Sequence, residues 1–307
     1  MKKISDYLSI VLITYNRSAL LDKSLDVLLS SPFKDCSITV LDNHSTDDTR
    51  NVVLNYSNHT NLKLVTNVLN IGGNANILRA IEYATKKYIW ILADDDTYDF
   101  SECDDVIEKI CNDDFALLHV GGHKDVLWPQ IKYVNVDDAI KGGFPYFKIS
   151  SFIPANIINV LAFKEYIIDG YNNIVNSYPH MPFLIGVYKN KLPYYISNRK
   201  IVLAEIGAQN YSYLNVVEWW ISTACKYITT KADRRLFIYS QLCASNAKYK
   251  YLKVLKIVFR NKTSAECRIN TLLLHNFLFS SLCLPLVYMY VFFDFIKRRI
   301  VPSKKNL

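Results

Sequence analysis

The chain has 307 residues, half of them apolar and 13% aromatic, with 36 Lys and Arg against 28 Asp and Glu for a formal net charge of +8. So much apolar surface must be buried, which excludes a disordered or collagen-like chain and leaves room for one large or two modest domains. The nine glycines form neither G-x-G-x-x-G nor a Walker phosphate loop, and the seven cysteines contain no C-x-x-C. This excludes two common nucleotide-binding motifs, argues against a disulfide framework or zinc knuckle, and fits a reducing compartment.

Lys2 and Lys3 precede an apolar run from Leu8 to Ile13, but Asp6 interrupts the approach. The run is too short for a signal-peptide core, so a cytoplasmic location is expected. Leu8 to Thr14 reads as a strand buried on both faces of a parallel sheet, because it is unbroken and rich in Ile, Leu and Val. Leu20, Leu21, Leu25, Leu28 and Leu29 then recur at helical spacing. A strand at Ser37 to Leu41, a turn at Asp42 to Thr46 and a polar helix from Asp47 to Tyr56 follow. A strand at Leu62 to Thr66, a helix from Ala75 to Ala84 and a strand at Tyr88 to Leu92 complete an α/β alternation, which implies a parallel sheet. Beyond residue 120 the pattern is less regular, with Gly-Gly pairs at 121 and 142 and a Trp128-Pro129 step that read as a variable loop region.

Ligands of such sheets sit at the carboxyl ends of the strands, so the residues after each run carry the information. They are Thr14-Tyr15-Asn16, Asp42-Asn43-His44-Ser45, Asn70-Ile71-Gly72-Gly73-Asn74 and Asp94-Asp95-Asp96. Three consecutive carboxylates at the end of a buried strand repel one another, and a cation resolves this. Their hard oxygens suit Mg2+ or Mn2+, with Asp94 and Asp96 projecting to the same side if strand geometry persists through Asp95. A solvated acidic turn, or a cap for a helix starting near Ser101, is the plainer alternative.

The segments SIVLITYNR, VLDNHSTDDT and NIGGNANILRAIEYATKKYIWILADDD, in this order over residues 7–100, resemble the family-2 glycosyltransferases. These are GT-A-fold enzymes that move a sugar from a nucleotide-sugar to an acceptor hydroxyl. SFIPANI and SYPHMPFLIGVYKN are similar to a subgroup that includes abequosyltransferase-like enzymes of bacterial O-antigen assembly. The resemblance implies that Thr14, Tyr15 and Asn16 line the nucleoside pocket, that Asp42 accepts a bond from the base, and that Asn43 and Ser45 support the turn. His44 departs from the glycine usual there and reads as a tolerated, exposed turn residue. Gly72 and Gly73 would let the backbone approach the donor, with Asn74 and Arg79 on the following helix; Arg79 reaches either a phosphate or a helix-surface partner. The aspartates match the family's D-x-D metal motif, with Asp94 near the ribose, Asp95 beside it and Asp96 on a metal that bridges the phosphates.

In the same family a carboxylate after D-x-D is the general base of an inverting displacement. His180 stands in that register, so it is a candidate base, with a histidine capping a helix between two prolines as the plainer reading. Asp169, Glu205 and Glu218 are the carboxylate substitutes. The implied division is a GT-A catalytic domain over 1–211, with a nucleotide-sugar half over 7–100 and an acceptor half over 101–211, followed by a helical region over 212–307.

The charge is unevenly spread, summing to −5 over residues 1–198 and +13 over 199–307. Residues 269–293 contain no Asp, Glu, Lys or Arg and precede Lys297, Arg298, Arg299, Lys304 and Lys305. Such a segment fits peripheral or monotopic attachment to the cytoplasmic membrane surface, at the inner face, or a buried helical hairpin with a solvated basic tail. The expected partners are a nucleotide-sugar donor and a glycan or lipid-linked oligosaccharide acceptor. Nucleic acid is not expected, because the basic residues accompany aliphatic runs and the crevice is acidic. The rivals are a sugar-phosphate nucleotidyltransferase, which lacks its Gly-rich loop here, and a catalytically silent scaffold.

Overall fold

The computed structural model describes residues 2–122, 133–141, 144–204 and, within 219–237, residues 219, 220, 222–224, 226–230, 233 and 237. Residues 269–293 and Trp128-Pro129 therefore lie outside the described residues. The chain divides into two compact units, Met1–Asn210 and Tyr211–Leu307. In the second, Trp220, Ala224, Ile228 and Phe237 are buried.

The first unit begins with β1 (Leu8–Thr14), α1 (Ser18–Leu29), β2 (Ser37–Asp42), α2 (Thr49–Asn55), β3 (Leu62–Thr66), α3 (Gly73–Glu82) and β4 (Tyr88–Ala93). Short elements follow: β5 (Thr97–Tyr98), α4 (Asp104–Asn112), β6 (Leu117–His119), β7 (Gly121–Gly122), β8 (Tyr133–Asn135), α5 (Val136–Lys141) and α6 (Tyr146–Ser150). The series ends with β9 (Asn156–Asn159), α7 (Val160–Lys164), α8 (Ile167–Asn172), α9 (Met181–Lys189), β10 (Tyr194–Ser197) and β11 (Val202–Leu203).

The main sheet has the order β3-β2-β1-β4-β9-β6-β10-β8, and a small sheet has the order β5-β11-β7. Strands β1 to β4, β6 and β10 share one direction, while β9 and β8 run against them. The mixed α/β architecture with a mostly parallel sheet is the GT-A arrangement expected from the sequence. Its direction brings the carboxyl ends of β1, β2, β3, β4 and β6, and the amino end of β9, to one edge.

Period-two geometry explains why β1, β2 and β4 read as continuous apolar runs. Leu8, Ile10 and Leu12 of β1, Ile38 and Val40 of β2, and Tyr88, Trp90 and Leu92 of β4 join Leu21, Leu25 and Leu28 of α1 and Val106 and Ile110 of α4 in one core. The alternate residues Val11, Leu41, Ile89 and Ile91 are buried as well. Phe33 meets Trp90 edge-on with ring centres 5.3 Å apart, and the Trp90 indole donates to the Pro154 carbonyl at 2.8 Å.

The region read as loop after residue 120 holds strands too short to leave a pattern. Gly121 and Gly122 pair with Val202 and Leu203, and a Cβ at Gly121 would come within 2.2 Å of the Val202 carbonyl. The close approach requires glycine there.

Candidate active site

The loop after β1 is stitched to the loop after β2. Asn16 adopts a left-handed φ of 50°, a conformation that asparagine tolerates better than most residues. Its amide donates to Ser45 Oγ at 2.8 Å, and its Oδ1 accepts the Thr46 amide at 2.8 Å. One turn further on, the Ser18 amide donates to Asp47 Oδ2 at 2.8 Å. Asp42 is buried at the end of β2 and accepts the Ser45 amide at 2.9 Å, so one of its oxygens shapes the turn. Tyr15 is 43% exposed beside this turn. His44 is exposed with φ 70°, the left-handed region that favours the glycine expected there.

An asparagine network extends the stitching to β3 and α3. Asn43 Nδ2 donates to Asn70 Oδ1 at 2.8 Å, and Asn43 Oδ1 accepts from Asn67 Nδ2 at 2.9 Å and the Ile71 amide at 3.0 Å. Asn67 Nδ2 also donates to Asn76 Oδ1 at 2.8 Å. Nothing in the periodicity pointed to Asn67 and Asn76, although a buried asparagine implies a partner. Gly72 has φ 80°, and neither Gly72 nor Gly73 has an atom within 4 Å of where a Cβ would stand. The two glycines therefore border open space at the start of α3.

Arg79 is not at this edge. It lies in the last turn of α3, about 9 Å along the helix from Gly73 at 1.5 Å per residue. Its neighbours Tyr83 and Glu82 hold its pKa above the usual value.

The aspartates follow β4 in a turn rather than on a continued strand, because β4 ends at Ala93 and the Tyr98 hydroxyl closes onto the Ala93 carbonyl. Asp94 is 4% exposed, and its two oxygens have separate donors. Thr14 Oγ1 reaches Oδ2 at 2.6 Å, and Arg17 Nη1 reaches Oδ1 at 3.1 Å. The same Nη1 lies 2.5 Å from Asp95 Oδ2, and Ser24 Oγ donates to the Asp94 carbonyl at 3.1 Å. Burial pushes the Asp94 carboxyl up, and the Thr14 and Arg17 bonds oppose that rise. Asp96 is half-buried.

Asp94, read from the sequence as a metal ligand projecting with Asp96, thus has protein donors on both oxygens. Its oxygens are engaged by the chain itself, and the cation next to it is a guanidinium. Among the described residues no group of three or more His, Cys, Asp or Glu side chains is arranged to hold a metal ion.

His180, the candidate base, lies away from solvent. It stands at the N-cap of α9, makes no capping bond through its side chain, and is 2% exposed. Its Nε2 donates to the Ser150 carbonyl at 3.1 Å, while Nδ1 is buried without a partner among the described residues. Burial pushes the imidazole down to about 4, against the opposing Ser150 and Ser151 backbone bonds. A base has to meet the hydroxyl it deprotonates, and neither nitrogen here meets the crevice surface. Around Ser150 sit two further buried polar groups that the sequence did not single out. His119, pushed down to about 3 by burial, shares a 3.1 Å hydrogen bond between Nε2 and Ser150 Oγ, and Asn156 Nδ2 donates to the Ser150 carbonyl at 3.0 Å.

The model of the family described as Glycosyl transferase family 2 matches residues 9–177. The GalNAc(5)-diNAcBac-PP-undecaprenol beta-1,3-glucosyltransferase of Campylobacter jejuni is 34% identical over 91 residues, which is 29% of this chain and 29% of that relative. Residues 1–349 of S. aureus TarS, in complex with UDP-GlcNAc, share the fold with a TM-score of 0.63 at 17% identity, over 87% of this chain and 79% of that 1–349 chain. The mannosyltransferase PcManGT from Pyrobaculum calidifontis, in complex with GDP-Man and Mn2+, gives 0.54 at 12% identity over 92% of this chain and 90% of that one.

Proposed function

Because the chain belongs to the glycosyl transferase family 2, whose model matches residues 9–177, we propose that it transfers a hexosyl or deoxyhexosyl group from a nucleotide-sugar to a hydroxyl of a lipid-linked glycan. Inversion at the anomeric carbon and a place in bacterial surface polysaccharide synthesis, of the O-antigen kind, belong to the same proposal. The observation that carries it is the stitched edge, where the loops after β1, β2 and β3 and the aspartate turn after β4 are joined by hydrogen bonds between side chains far apart in sequence. The name of the Campylobacter relative describes transfer onto an undecaprenol-linked glycan, which supports a lipid-linked acceptor.

On this reading Thr14, Tyr15, Asn16, Asp42, Asn43 and Ser45 form the nucleoside side of the crevice. The left-handed backbone at Asn16 and the Asp42 turn fix its shape before the donor arrives, so little ordering is left to do on binding. Gly72 and Gly73 keep the start of α3 clear of side chains where the donor passes. The hard oxygens of Asp96 suit Mg2+ or Mn2+, since one or two carboxylates plus substrate phosphates suffice for such ions. When bound, the ion offsets the negative charge that develops on the diphosphate as the glycosidic bond breaks. Asp94 contributes by holding Thr14 and Arg17 in place.

The acceptor hydroxyl attacks the anomeric carbon from the face opposite the leaving diphosphate, and its proton passes to a base. With His180 buried, that base is a carboxylate: Asp169 on α8, or Glu205 or Glu218, which lie outside the described residues. We extend the proposal to the basic region 212–307, which would meet the cytoplasmic membrane surface through its excess of Lys and Arg. Among the described residues no helix is long and apolar enough to cross a membrane.

A panel of nucleotide-sugars screened for Mn2+-dependent thermal stabilisation tests the reading. One donor is expected to raise Tm by several degrees with the ion present, because a ligand that binds only the folded chain stabilises it. A panel in which no nucleotide-sugar shifts Tm would overturn it.

A further inference from the structure

Beneath the turn that leads from β3 into α3 lies a chain of side-chain amides closed to solvent. Asn43 of the β2 loop, Asn67 at the end of β3 and Asn76 in the first turn of α3 are each at most 3% exposed. Backbone partners fix which way the amides point. Because the Ile71 amide donates to Asn43 Oδ1 at 3.0 Å, Asn67 has to offer that oxygen its Nδ2, at 2.9 Å. The same Nδ2 donates to Asn76 Oδ1 at 2.8 Å, so Asn67 joins the β2 loop to α3. Asn43 Nδ2 in turn holds Asn70 Oδ1 at 2.8 Å, and that oxygen accepts the Gly72 amide at 2.8 Å. The backbone of the turn thus hangs from side chains whose orientation Asn67 shares.

The residue held, Gly72, stands at φ 80° and ψ 153°, a region essentially confined to glycine, with open space beside it. Such a backbone persists only where its surroundings over-determine it. The arrangement also has a cost at Asn67. With Nδ2 shared between two acceptors, its Oδ1 is buried without a partner among the described residues. A stranded acceptor lowers stability, so the network is not arranged for stability alone.

On the glycosyltransferase reading above, we propose that Asn67 is a positioning residue for donor binding. Closed off from the crevice, it meets no part of the donor. It keeps the nucleoside loop after β2 and the glycine turn before α3 in one register. Without Nδ2 the turn relaxes toward a less costly backbone, and the donor has to order it on binding. That loss falls equally on the bound donor and the transition state, so it raises the donor KM and leaves kcat in place.

The test is steady-state kinetics with the donor found in the panel, on folded protein well below its Tm. Asn67→Asp, which keeps the size but exchanges the nitrogen for an oxygen, and Asn67→Ala are each expected to raise the donor KM ~10-fold, with kcat within about two-fold of wild type. Asn76→Ala, which removes only one of the two bonds and spares the fold if the other variants do not, is expected to raise it about three-fold. Asn156→Ala is the control for a merely structural role. It removes a buried asparagine that donates to the Ser150, Phe152 and Ile153 carbonyls, and is expected to lower Tm with the donor KM unchanged. Folded Asn67 or Asn76 variants with a wild-type donor KM, or with kcat lowered in its place, would overturn the proposal. Failure of the functional reading is separable, since it would show in wild type itself as absence of donor-induced stabilisation and turnover.

Discussion

Two polar clusters in this chain are stabilised in opposite ways. The aspartates after β4 lie near the crevice mouth, and their charge is kept and matched by Arg17. The cluster of His119, Ser150, Asn156 and His180 lies in the interior at the ends of β6, β9 and α6, and there charge is given up: both imidazoles are pushed far below their usual range. The difference reflects access to water. A half-exposed guanidinium keeps part of its hydration while it pairs, whereas an imidazolium shut away from solvent would meet only a backbone carbonyl or a hydroxyl. The first cluster is therefore available for chemistry and the second for holding α9 and α6 together.

The contrast can be broken most severely at Asp96. Asp96→Asn is expected to lower kcat with the donor found in the panel by roughly 100- to 1000-fold, as loss of one electrostatic group at a developing charge does, with the melting temperature little changed. A large fall in Tm with turnover per folded molecule preserved would place Asp96 with the structural cluster instead. His180→Ala should behave the other way round. It empties a buried site and removes one of the two hydrogen bonds to the Ser150 carbonyl, leaving that of Asn156, at a cost of about 3 kcal/mol in chemical denaturation, while kcat per folded molecule stays within a few-fold of wild type. Loss of turnover with full stability would restore His180 as the base.

Acid sharpens the same comparison. In the unfolded chain His180 takes up a proton near pH 6.5, whereas in the folded chain it resists protonation down to about 4. Its contribution is therefore whole above pH 6.5 and lost as the pH falls through that window, by about 3 kcal/mol in all. Denaturation free energies measured between pH 7 and 4 should show a slope to which both buried imidazoles contribute, and it should become shallower in His180→Asn, with His119 supplying the rest; an unchanged slope would mean that the His180 imidazole is not held neutral. The smallest effect is expected at Gly72. There the backbone stands at φ 80° and ψ 153°, a region essentially confined to glycine, with open space around the missing side chain, so Gly72→Ala should cost about 1–3 kcal/mol in backbone strain alone. Its larger consequence should be a raised KM for the donor, read in a steady-state assay.

Much of the first half was legible because its signals are local. β1 through β4 announce themselves as apolar runs, and the polar residues that follow each run mark the crevice edge without knowledge of the partners. The second half was not. β5, β7 and β11 have two residues each and exist only because distant segments pair with them, so no period could develop. The same limit separates the site residues that were singled out from those that were missed. Asp94 and Asp96 stand out as part of a run of like charges. Asn67, Asn76, His119 and Asn156 stand alone in the sequence and acquire meaning only from partners elsewhere in the fold.

By itself, then, the sequence determined the alternation of strands and helices, the order of the crevice loops and the family to which they belong, since each depends on residues that are neighbours along the chain. Only the tertiary structure decided what the charged and polar side chains do. Arg17 finds Asp94 and Asp95 across more than seventy residues, and His180 finds Ser150 across thirty. Whether such a group stays charged, coordinates an ion or is neutralised in the core depends on its partner and its distance from water, which are properties of position in space.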